Sequence, residues 1–319
     1  MAERAAAWSR RRQGADHFPI EITRRRLYIL PTRAGLGFSA LLLVMGIAGL
    51  NYANSLALLV AFVLGGFVLV AMNLCHRNLQ GLRVEGLVVH PTFEGDIARL
   101  ELALTNDLRD TRLGIDAVAE SATSSIAELT AGATQRCELT LQARRRGRQT
   151  LPRIRISTTF PFGLFRAWTW LHADETLLVY PVPRGPLPMP VGTSDRSDGA
   201  SKRQAGNDEW AGLRSFRDGD SPRQVAWKVY ARGLPLLVKE YTGGSSQVLH
   251  FDFTATPVSS TEGRLQQLTR WIVDAEARGQ RYALTLPALH VAEARGALHR
   301  HRCLEALALY GVPRESAHA

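Results

Sequence analysis

The sequence predicts a membrane-anchored α+β protein with an N-terminal hairpin of two transmembrane helices, a small antiparallel β-sandwich and a small α/β domain. Three observations lead to this prediction: a long uncharged segment, a series of short alternating segments, and a last third in which strand and helix patterns follow one another. The predicted parts are a basic cytoplasmic arm at 1–33, two transmembrane helices at 34–76, a β-sandwich at 77–181, a linker rich in Pro, Ser and Gly at 182–211, and the α/β part at 212–319.

The hairpin is predicted from residues 34–75, which contain no charged side chain across 42 positions. A bilayer core takes about 20 helical residues to cross, so this length suits two spans. We expect them at about 34–50 and 56–74, joined by a polar turn at 51–55. The alternative is a buried helical hairpin of a soluble protein, although such helices usually keep a polar stripe and these have none.

The net charge of +10 is concentrated near the N-terminus, where residues 1–33 hold eight arginines and three acidic residues, a surplus of +5. Arg77 and Arg83 follow the second span. Because positive flanks stay in the cytoplasm, we predict a two-pass protein with both termini cytoplasmic. Topology then explains much of the charge, and we expect no nucleic-acid partner.

The β-sandwich is predicted from short segments with alternating apolar residues, bounded by turn-forming residues. These segments are 82–90, 98–106, 114–120, 135–143, 150–158 and 175–181. Within this region four arginines surround Gly147: Arg144, Arg145, Arg146 and Arg148. We interpret them as a turn facing solvent or lipid headgroups, with phosphate binding as the alternative.

After the sandwich, residues 181–211 are expected to be a linker or an irregular surface loop, because prolines and then small polar residues dominate them. Strand and helix patterns follow, at 247–253, 264–279, 281–287 and 295–311. Leu265, Leu268, Ile272 and Ala275 form the apolar face of the first helix. This alternation predicts a parallel sheet, with room for about two such units.

Residues 212–241, which we call the signature segment, read GLRSFRDGDSPRQVAWKVYARGLPLLVKEY. Asp218 to Asp220 form a turn, and Ser221 and Pro222 start a helix that we expect to end near Arg232. A strand should follow at 234–241. The mixed charges suit either an anion site at the helix N-terminus or ion pairs that hold the helix to its neighbours.

The signature segment is similar to the bacterial membrane-protein family labelled domain of unknown function 58, in which Gly-Leu-Arg, an aromatic residue, GD-x-x-R, Trp-Lys and Val-Lys-Glu recur in this order. TTFPFGLFRAWTWL at 158–171 and VYP at 179–181 match further elements of that family. The residues that we expect either to hold the domain together or to contact a partner are Arg214, Asp218, Asp220, Arg223, Trp227, Lys228, Arg232, Lys239 and Glu240.

The resemblance implies a protein of the bacterial inner membrane whose last part is a truncated von Willebrand factor A-like domain. It also implies two partners, a MoxR-type AAA+ ATPase and a transglutaminase-like membrane protein, because such genes are commonly neighbours. In that domain type a D-x-S-x-S motif supplies oxygen ligands to Mg²⁺. The matching residues here are Asp252, Thr254 and Thr256. The alternative is a vestigial strand end, since the domain's further ligands have no evident counterpart.

The sequence carries no G-x-x-x-x-G-K-[ST], H-E-x-x-H, G-x-S-x-G or C-x-x-C motif, so we predict no catalytic residues and no enzymatic activity. Three scattered cysteines fit a reducing compartment. His299 and Cys303 have the spacing of metal ligands on a helix, but we expect them on a solvated face.

The function expected from these observations is a membrane-anchored cytoplasmic interaction module, an adaptor or client of an AAA+ ATPase. The alternative is a Mg²⁺-dependent hydrolase or a metal-dependent adhesion-type binding site at Asp252, Thr254 and Thr256. Nucleic-acid binding ranks last, because the charge excess outside the N-terminal arm is only +5.

Overall fold

A computed structural model describes residues 16–190, 209–215, 237–242 and 248–312, with the two strands at 209–215 and 237–242 described by their backbone alone. The chain divides into two compact units. The first comprises Met1–Val182 with Ala308–Ala319, and the second comprises Pro183–Leu307.

The first unit begins with two short strands, β1 (Ile20–Glu21) and β2 (Tyr28–Pro31), and then forms the helices α1 (Arg33–Asn51) and α2 (Ser55–Leu79). A 3₁₀ turn at Arg24–Arg26 separates the two strands. Side chains cap both helices, because their first N–H groups lack partners within the helix. Thr32 Oγ1 accepts from Gly35 N at 3.1 Å, and Asn54 Oδ1 accepts from Leu56 N and Ala57 N.

Both helices are long and apolar enough to cross a membrane, and their apolar segments are only 11% and 6% buried. The hairpin is therefore not buried in a core of this chain. The first helix extends its predicted span by one residue at each end, and the second by one residue at its start and five at its end.

The sandwich of the first unit consists of ten strands after the hairpin: β3 (Leu82–Val89), β4 (Thr92–Phe93), β5 (Ile97–Asn106), β6 (Arg112–Ala119), β7 (Ala122–Leu129), β8 (Thr134–Gln142), β9 (Gly147–Thr150), β10 (Ile154–Thr158), β11 (Phe165–Leu171) and β12 (Thr176–Tyr180). They form two main sheets of order β1-β3-β5-β8 and β2-β11-β10-β6-β7, and a smaller sheet of order β4-β12-β9. In β8 the alternation of buried and exposed residues is regular, as expected for a strand with one face on a core.

The hydrophobic core between the sheets includes the end of α2. Leu102 and Leu139 contribute from one sheet, Ile115 and Ile156 from the other, and all are fully buried. Leu79 from the last turn of α2 belongs to the same cluster. The second apolar helix therefore continues directly into the sandwich.

The two strands that precede the hairpin pair with strands that follow it. β1 is antiparallel to β3, and β2 is antiparallel to β11. Ile22, just after β1, is 1% exposed and lies in the sandwich core. Residues 16–32, predicted to be part of a basic arm, are thus part of the sandwich, and both flanks of the hairpin lie at the same end of it.

The second unit contains β13 (Glu209–Ser215), β14 (Leu237–Thr242), β15 (Leu249–Asp252), α3 (Thr261–Ala277), β16 (Tyr282–Leu286), β17 (Leu289–Ala294) and most of α4 (Ala297–Leu309). β13 and β14 form an antiparallel pair, and β15 is parallel to β16 across α3, as the strand-helix alternation predicted. The four residues predicted for the apolar face of α3 are all fully buried. β17 was not predicted and joins β16 antiparallel.

Candidate functional site

The predicted metal motif lies at the carboxyl end of β15, where it forms a hydrogen-bonded turn. Asp252 Oδ1 accepts from Thr254 N at 2.7 Å, from Thr254 Oγ1 at 2.6 Å and from Ala255 N at 3.3 Å. Thr256 Oγ1 donates to the Asp252 carbonyl at 2.6 Å. The motif therefore satisfies its own polar groups, which is the ordinary chemistry of Asp and Thr after a strand.

This turn stabilises the ionised form of Asp252. The hydroxyl of Thr254 lowers the pKa of Asp252, slight desolvation opposes it, and the backbone N–H groups of Thr254 and Ala255 add to the lowering. A carboxylate and two threonine hydroxyls keep free lone pairs and are hard oxygen donors of the kind that Mg²⁺ prefers. They supply at most part of an octahedral shell.

Further ligands are not evident near this motif. Among the residues that the structure describes, no group of three or more His, Cys, Asp or Glu side chains is placed to hold a metal ion. Mg²⁺ binding at Asp252, Thr254 and Thr256 stays a prediction.

A cleft of about 360 Å³ adjoins the motif within the second unit. Asp252 and Thr256 line one side, and Leu187, Pro188 and Trp271 contribute apolar surface. A concave apolar surface with one carboxylate at its edge has the composition of a small binding site.

One wall of this cleft is the first part of the predicted linker, which is irregular but held in place. Gln267 of α3 is fully buried and forms two hydrogen bonds with the backbone of Leu187. Leu187 N donates to Gln267 Oε1 at 2.9 Å, and Gln267 Nε2 donates to Leu187 O at 3.1 Å. Trp271 Nε1 donates to the same carbonyl at 3.3 Å. Residues 183–190 thus pack along α3 as an extended segment.

Only the two ends of the signature segment fall within the described residues. The predicted strand at 234–241 corresponds to β14, and the beginning of the segment lies in β13, which was expected to be linker and turn. Arg214 is opposite Val238 and Lys239 is opposite Leu213, while Glu240 is opposite Gly212. The predicted helix lies outside the described residues, as do Asp218, Asp220, Arg223, Trp227, Lys228 and Arg232.

His299 and Cys303 do not lie on a solvated face, so that expectation was wrong. His299 is 7% exposed, and its Nε2 lies 2.8 Å from the Tyr282 carbonyl, which fits donation by the ring N–H. Its ring packs on Tyr282 with centroids 4.6 Å apart. Burial raises the pKa of Cys303 to about 12. The pair serves the packing of α4 on the sheet.

The arginines around Gly147 lie at the end of the sandwich away from the helices. β5 runs from Ile97, paired with Gln142 just before this turn, to Asn106, paired with Leu82 just after α2. Ten strand residues span about 30 Å, several times the Debye length in physiological salt. The turn therefore lies at the opposite end of β5 from α2, and its contact with lipid headgroups stays a prediction.

The junction between α2 and the sandwich holds two buried polar side chains, Asn78 and Arg112, that the sequence analysis did not select. Asn78 Nδ2 donates to Leu113 O at 2.7 Å and to Thr158 Oγ1 at 2.9 Å, and its Oδ1 accepts from Leu113 N at 3.1 Å. The only available signal was one amide near the end of an apolar helix.

Arg112 completes this junction by binding the carboxyl end of α2. Its guanidinium donates to the carbonyl of Arg77 and, at 2.8 Å, to that of Gln80. These carbonyls are the unpaired acceptors at a helix end, where positive charge is favourable. Burial lowers the pKa of Arg112, opposed by Asp110 and reinforced by Arg77.

Exposed arginines ring the same junction. Arg24 Nε donates to Gln80 Oε1 at 3.1 Å, which places the 3₁₀ turn beside the end of α2. The exposed arginines at this end of the sandwich include Arg24, Arg25, Arg33, Arg77 and Arg109.

Neither a protein-family model nor a curated protein sequence matches the chain.

Proposed function

We propose that this chain is a two-pass protein of the bacterial inner membrane that presents its sandwich and its α/β unit to the cytoplasm. The observation that carries the proposal is the pair of apolar helices, whose outer surface is exposed along its length while the end of α2 is built into the sandwich core. Such a surface is stable when it faces lipid, because exposing it to water would cost roughly 25 cal/mol for each Å².

The cytoplasmic orientation is supported by the charge at the junction. The exposed arginines from Arg24 to Arg109 gather at the end where both flanks of the hairpin meet the sandwich. Positive residues next to a span favour the cytoplasmic side. The turn at 51–55 would then face the opposite side of the membrane.

The activity that we propose is binding rather than catalysis: an adaptor or client of a MoxR-type AAA+ ATPase, with a transglutaminase-like membrane protein as a further partner. What supports this is the family resemblance of the signature segment together with a sequence that holds no catalytic motif. We assign the signature residues, among them Arg214, Lys239 and Glu240, either to that contact or to the fold that supports it.

The experiment is co-purification of the full chain in nanodiscs with the AAA+ ATPase encoded nearest to it, with ATP and with ADP. We expect retention in at least one nucleotide state, and loss of retention for Arg223→Glu and Lys228→Glu variants that unfold at the same temperature as the parent. Absence of association in both nucleotide states would refute the adaptor proposal.

A second candidate is a metal-dependent binding site at Asp252, Thr254 and Thr256, favoured by the cleft beside the motif. Bound Mg²⁺ would supply a positive centre for an anionic group of a ligand. Calorimetric titration of the full chain with Mg²⁺ should then show heat of binding, and a thermal melt with Mg²⁺ should show a higher Tm. Asp252→Asn should abolish both effects. Equal behaviour of parent and variant would remove this candidate.

A further inference from the structure

The loop between β10 and β11, residues 159–164, carries two exposed aromatic side chains. Phe160 is 38% exposed and Phe162 is 49% exposed, although large apolar residues elsewhere in the sandwich strands are mostly buried. The loop extends from the end of the sandwich that adjoins α1 and α2, since Thr158 contacts Asn78 of α2.

This loop lies alongside the apolar helices, past the point where the sandwich ends. The ring centroids of Phe162 and of Phe67 in α2 are 4.7 Å apart. Phe67 precedes Cys75, which is buried against Phe165, by eight residues, or about 12 Å along the helix. The tip of the loop therefore lies beside the middle of the apolar segment of α2.

The first turn of α1 fixes the loop from the other side. Thr32 Oγ1 donates to Gly163 O at 2.6 Å, and Thr32 N donates to Leu164 O at 2.9 Å. A side chain on Gly35 would overlap Leu164 O, so the absence of one there permits this close approach. The loop is held between the beginning of α1 and the middle of α2.

Several backbone groups of the loop are paired within the protein. Phe160 N donates to Thr158 Oγ1 at 3.2 Å, Gly163 N donates to Thr159 O at 2.9 Å, and Pro161 has no N–H. The carbonyls of Gly163 and Leu164 accept from Thr32. In hydrocarbon each unpaired backbone group costs several kcal/mol, so these pairs lower the cost of placing the loop next to lipid.

The strands that adjoin the loop carry side chains of the kind found at membrane interfaces. Leu30, which is 58% exposed, pairs in register with the exposed Arg166, and next to them Tyr28 stacks on Trp168 with ring centroids 5.8 Å apart. Arginine and the amphipathic rings of Tyr and Trp are favoured at the boundary between acyl chains and headgroups. The residue types beside the loop are therefore those expected near the surface of a membrane.

We propose that the loop 159–164 is immersed in the acyl chains of the leaflet next to the sandwich, with Phe160 and Phe162 in contact with lipid. The occupant of this surface is the bilayer itself, because the loop is continuous with the lipid-facing surface of α2 through Phe67. The proposal rests on the membrane anchoring proposed above. It gives the sandwich a third attachment to the bilayer and fixes its height relative to the membrane surface.

The test uses the full chain in nanodiscs with one of three substitutions, Phe162→Cys, Phe62→Cys or Ile97→Cys, each labelled in detergent with an environment-sensitive fluorophore. Phe62, 75% exposed, reports on the span, and Ile97, 63% exposed at the far end of β5, is the matched apolar control. The native cysteines Cys75, Cys137 and Cys303 are buried, which keeps background labelling low.

We expect a nitroxide on the lipid acyl chain to quench the labels at Phe162 and Phe62, and a water-soluble quencher to reach only the label at Ile97. Quenching of Phe62 by lipid but of Phe162 by the aqueous reagent would overturn the loop proposal and leave the span intact. Aqueous quenching of Phe62 would refute the membrane anchoring and the loop proposal together.

A Phe162 label that neither quencher reaches would also overturn the proposal, since the loop would then be covered by protein. The variant must melt at the temperature of the parent. If Phe162→Cys does not, Phe160→Cys reports on the same loop and the same outcomes apply.

Discussion

At the scale of single residues, Asn78 joins the apolar helix to the sandwich. Its amide satisfies both the N–H and the carbonyl of Leu113 and also donates to Thr158. Removing one partner of a buried hydrogen bond costs about 1–3 kcal/mol for each group left unpaired. Asn78→Ala should therefore lower the Tm of the sandwich in detergent by several degrees.

Asn73→Ala is the matched control for that substitution, because Asn73 lies on the same helix but is exposed. A surface substitution of this kind usually changes stability by less than about 0.5 kcal/mol. Equal Tm values for the two variants would show that the Asn78 hydrogen bonds contribute nothing measurable to the junction.

Gly35 marks the closest approach between α1 and the β10–β11 loop. An added methyl group would overlap the backbone carbonyl of Leu164, which cannot rotate away as a side chain would. Overpacking of this type costs about 1–3 kcal/mol, so Gly35→Ala should lower the Tm. Gly37→Ala in the same helix meets nothing within 4 Å and should leave the Tm unchanged or raise it slightly, because Ala favours a helix more than Gly does. A Gly35→Ala protein as stable as Gly37→Ala would contradict this contact.

The turn at Asp252 predicts a pH dependence. Its pKa is lowered chiefly by the Thr254 hydroxyl, so the interaction stabilises the folded chain above the ordinary Asp pKa, about 3.9 in unfolded chains. This contribution is lost as the pH falls through the lowered pKa. The Tm difference between the parent and Thr254→Val should thus be present at pH 7 and shrink in acid.

Thr256→Val is the control for this pH dependence, because the Thr256 hydroxyl donates to a backbone carbonyl that does not titrate. The change in Tm that Thr256→Val causes should be the same at pH 7 and in acid. A Thr254→Val difference that stayed constant with pH would show that the hydroxyl does not act through the charge of Asp252.

At the scale of elements, the sequence predicts strands and helices that have a regular apolar pattern and misses those without one. β5, β8 and α3 were predicted because their apolar residues repeat with the period of the element, and α1 and α2 because the segment that holds them is uncharged and long enough for two spans. In β7 only Ile126 and Leu129 are buried, so the strand has no clear alternation. β1 and β2 were missed because they flank a run of three arginines, which gave the segment the composition of a tail.

The proline-rich segment was predicted to be irregular, but its attachment to α3 had no sequence signal, since Gln267 and Leu187 are 80 residues apart. Gln267→Leu would leave the N–H and carbonyl of Leu187 without this partner. We expect faster tryptic cleavage after the exposed Arg184 in that variant, measured by mass spectrometry. Gln266→Leu, one residue away and outside this contact, should be cleaved at the parental rate. Equal rates for both variants would mean that Gln267 does not hold the segment.

At the scale of the whole molecule, the order of the hairpin, the β-region and the α/β region could be predicted from the sequence. The junction between α2 and the sandwich could not. The uncharged segment predicted the hairpin, and the alternating segments predicted the β-region and the α/β region. The junction residues Asn78 and Arg112 meet partners up to 80 residues away, a distance over which local patterns carry no information. Asp252, Thr254 and Thr256 were selected through the family resemblance, because the motif that they match is contiguous in sequence.

The first unit is discontinuous in sequence, and this has a consequence for any soluble fragment. A chain cut between the helices and the sandwich loses β1 and β2, and with them Ile22 from the core. Full burial of an isoleucine stabilises a fold by about 1.5–3 kcal/mol, and two strands would lose their edge partners as well. A fragment starting at Ala71, which keeps the buried end of α2, should therefore be poorly folded in its sandwich.

Joining residues 16–32 to that fragment through a flexible linker should restore the sandwich, because both flanks of the hairpin lie at the same end of it. Hydrogen exchange followed by peptide mass spectrometry measures this locally: amides of β3 and β11 should be protected in the fused fragment and exchange rapidly in the shorter one. The amides of β15 and β16 belong to the second unit and serve as the internal control, with equal protection in both. Equal protection of β3 and β11 in the two fragments would show that the sandwich folds without its N-terminal strands, and that their pairing orients the hairpin rather than stabilising the domain.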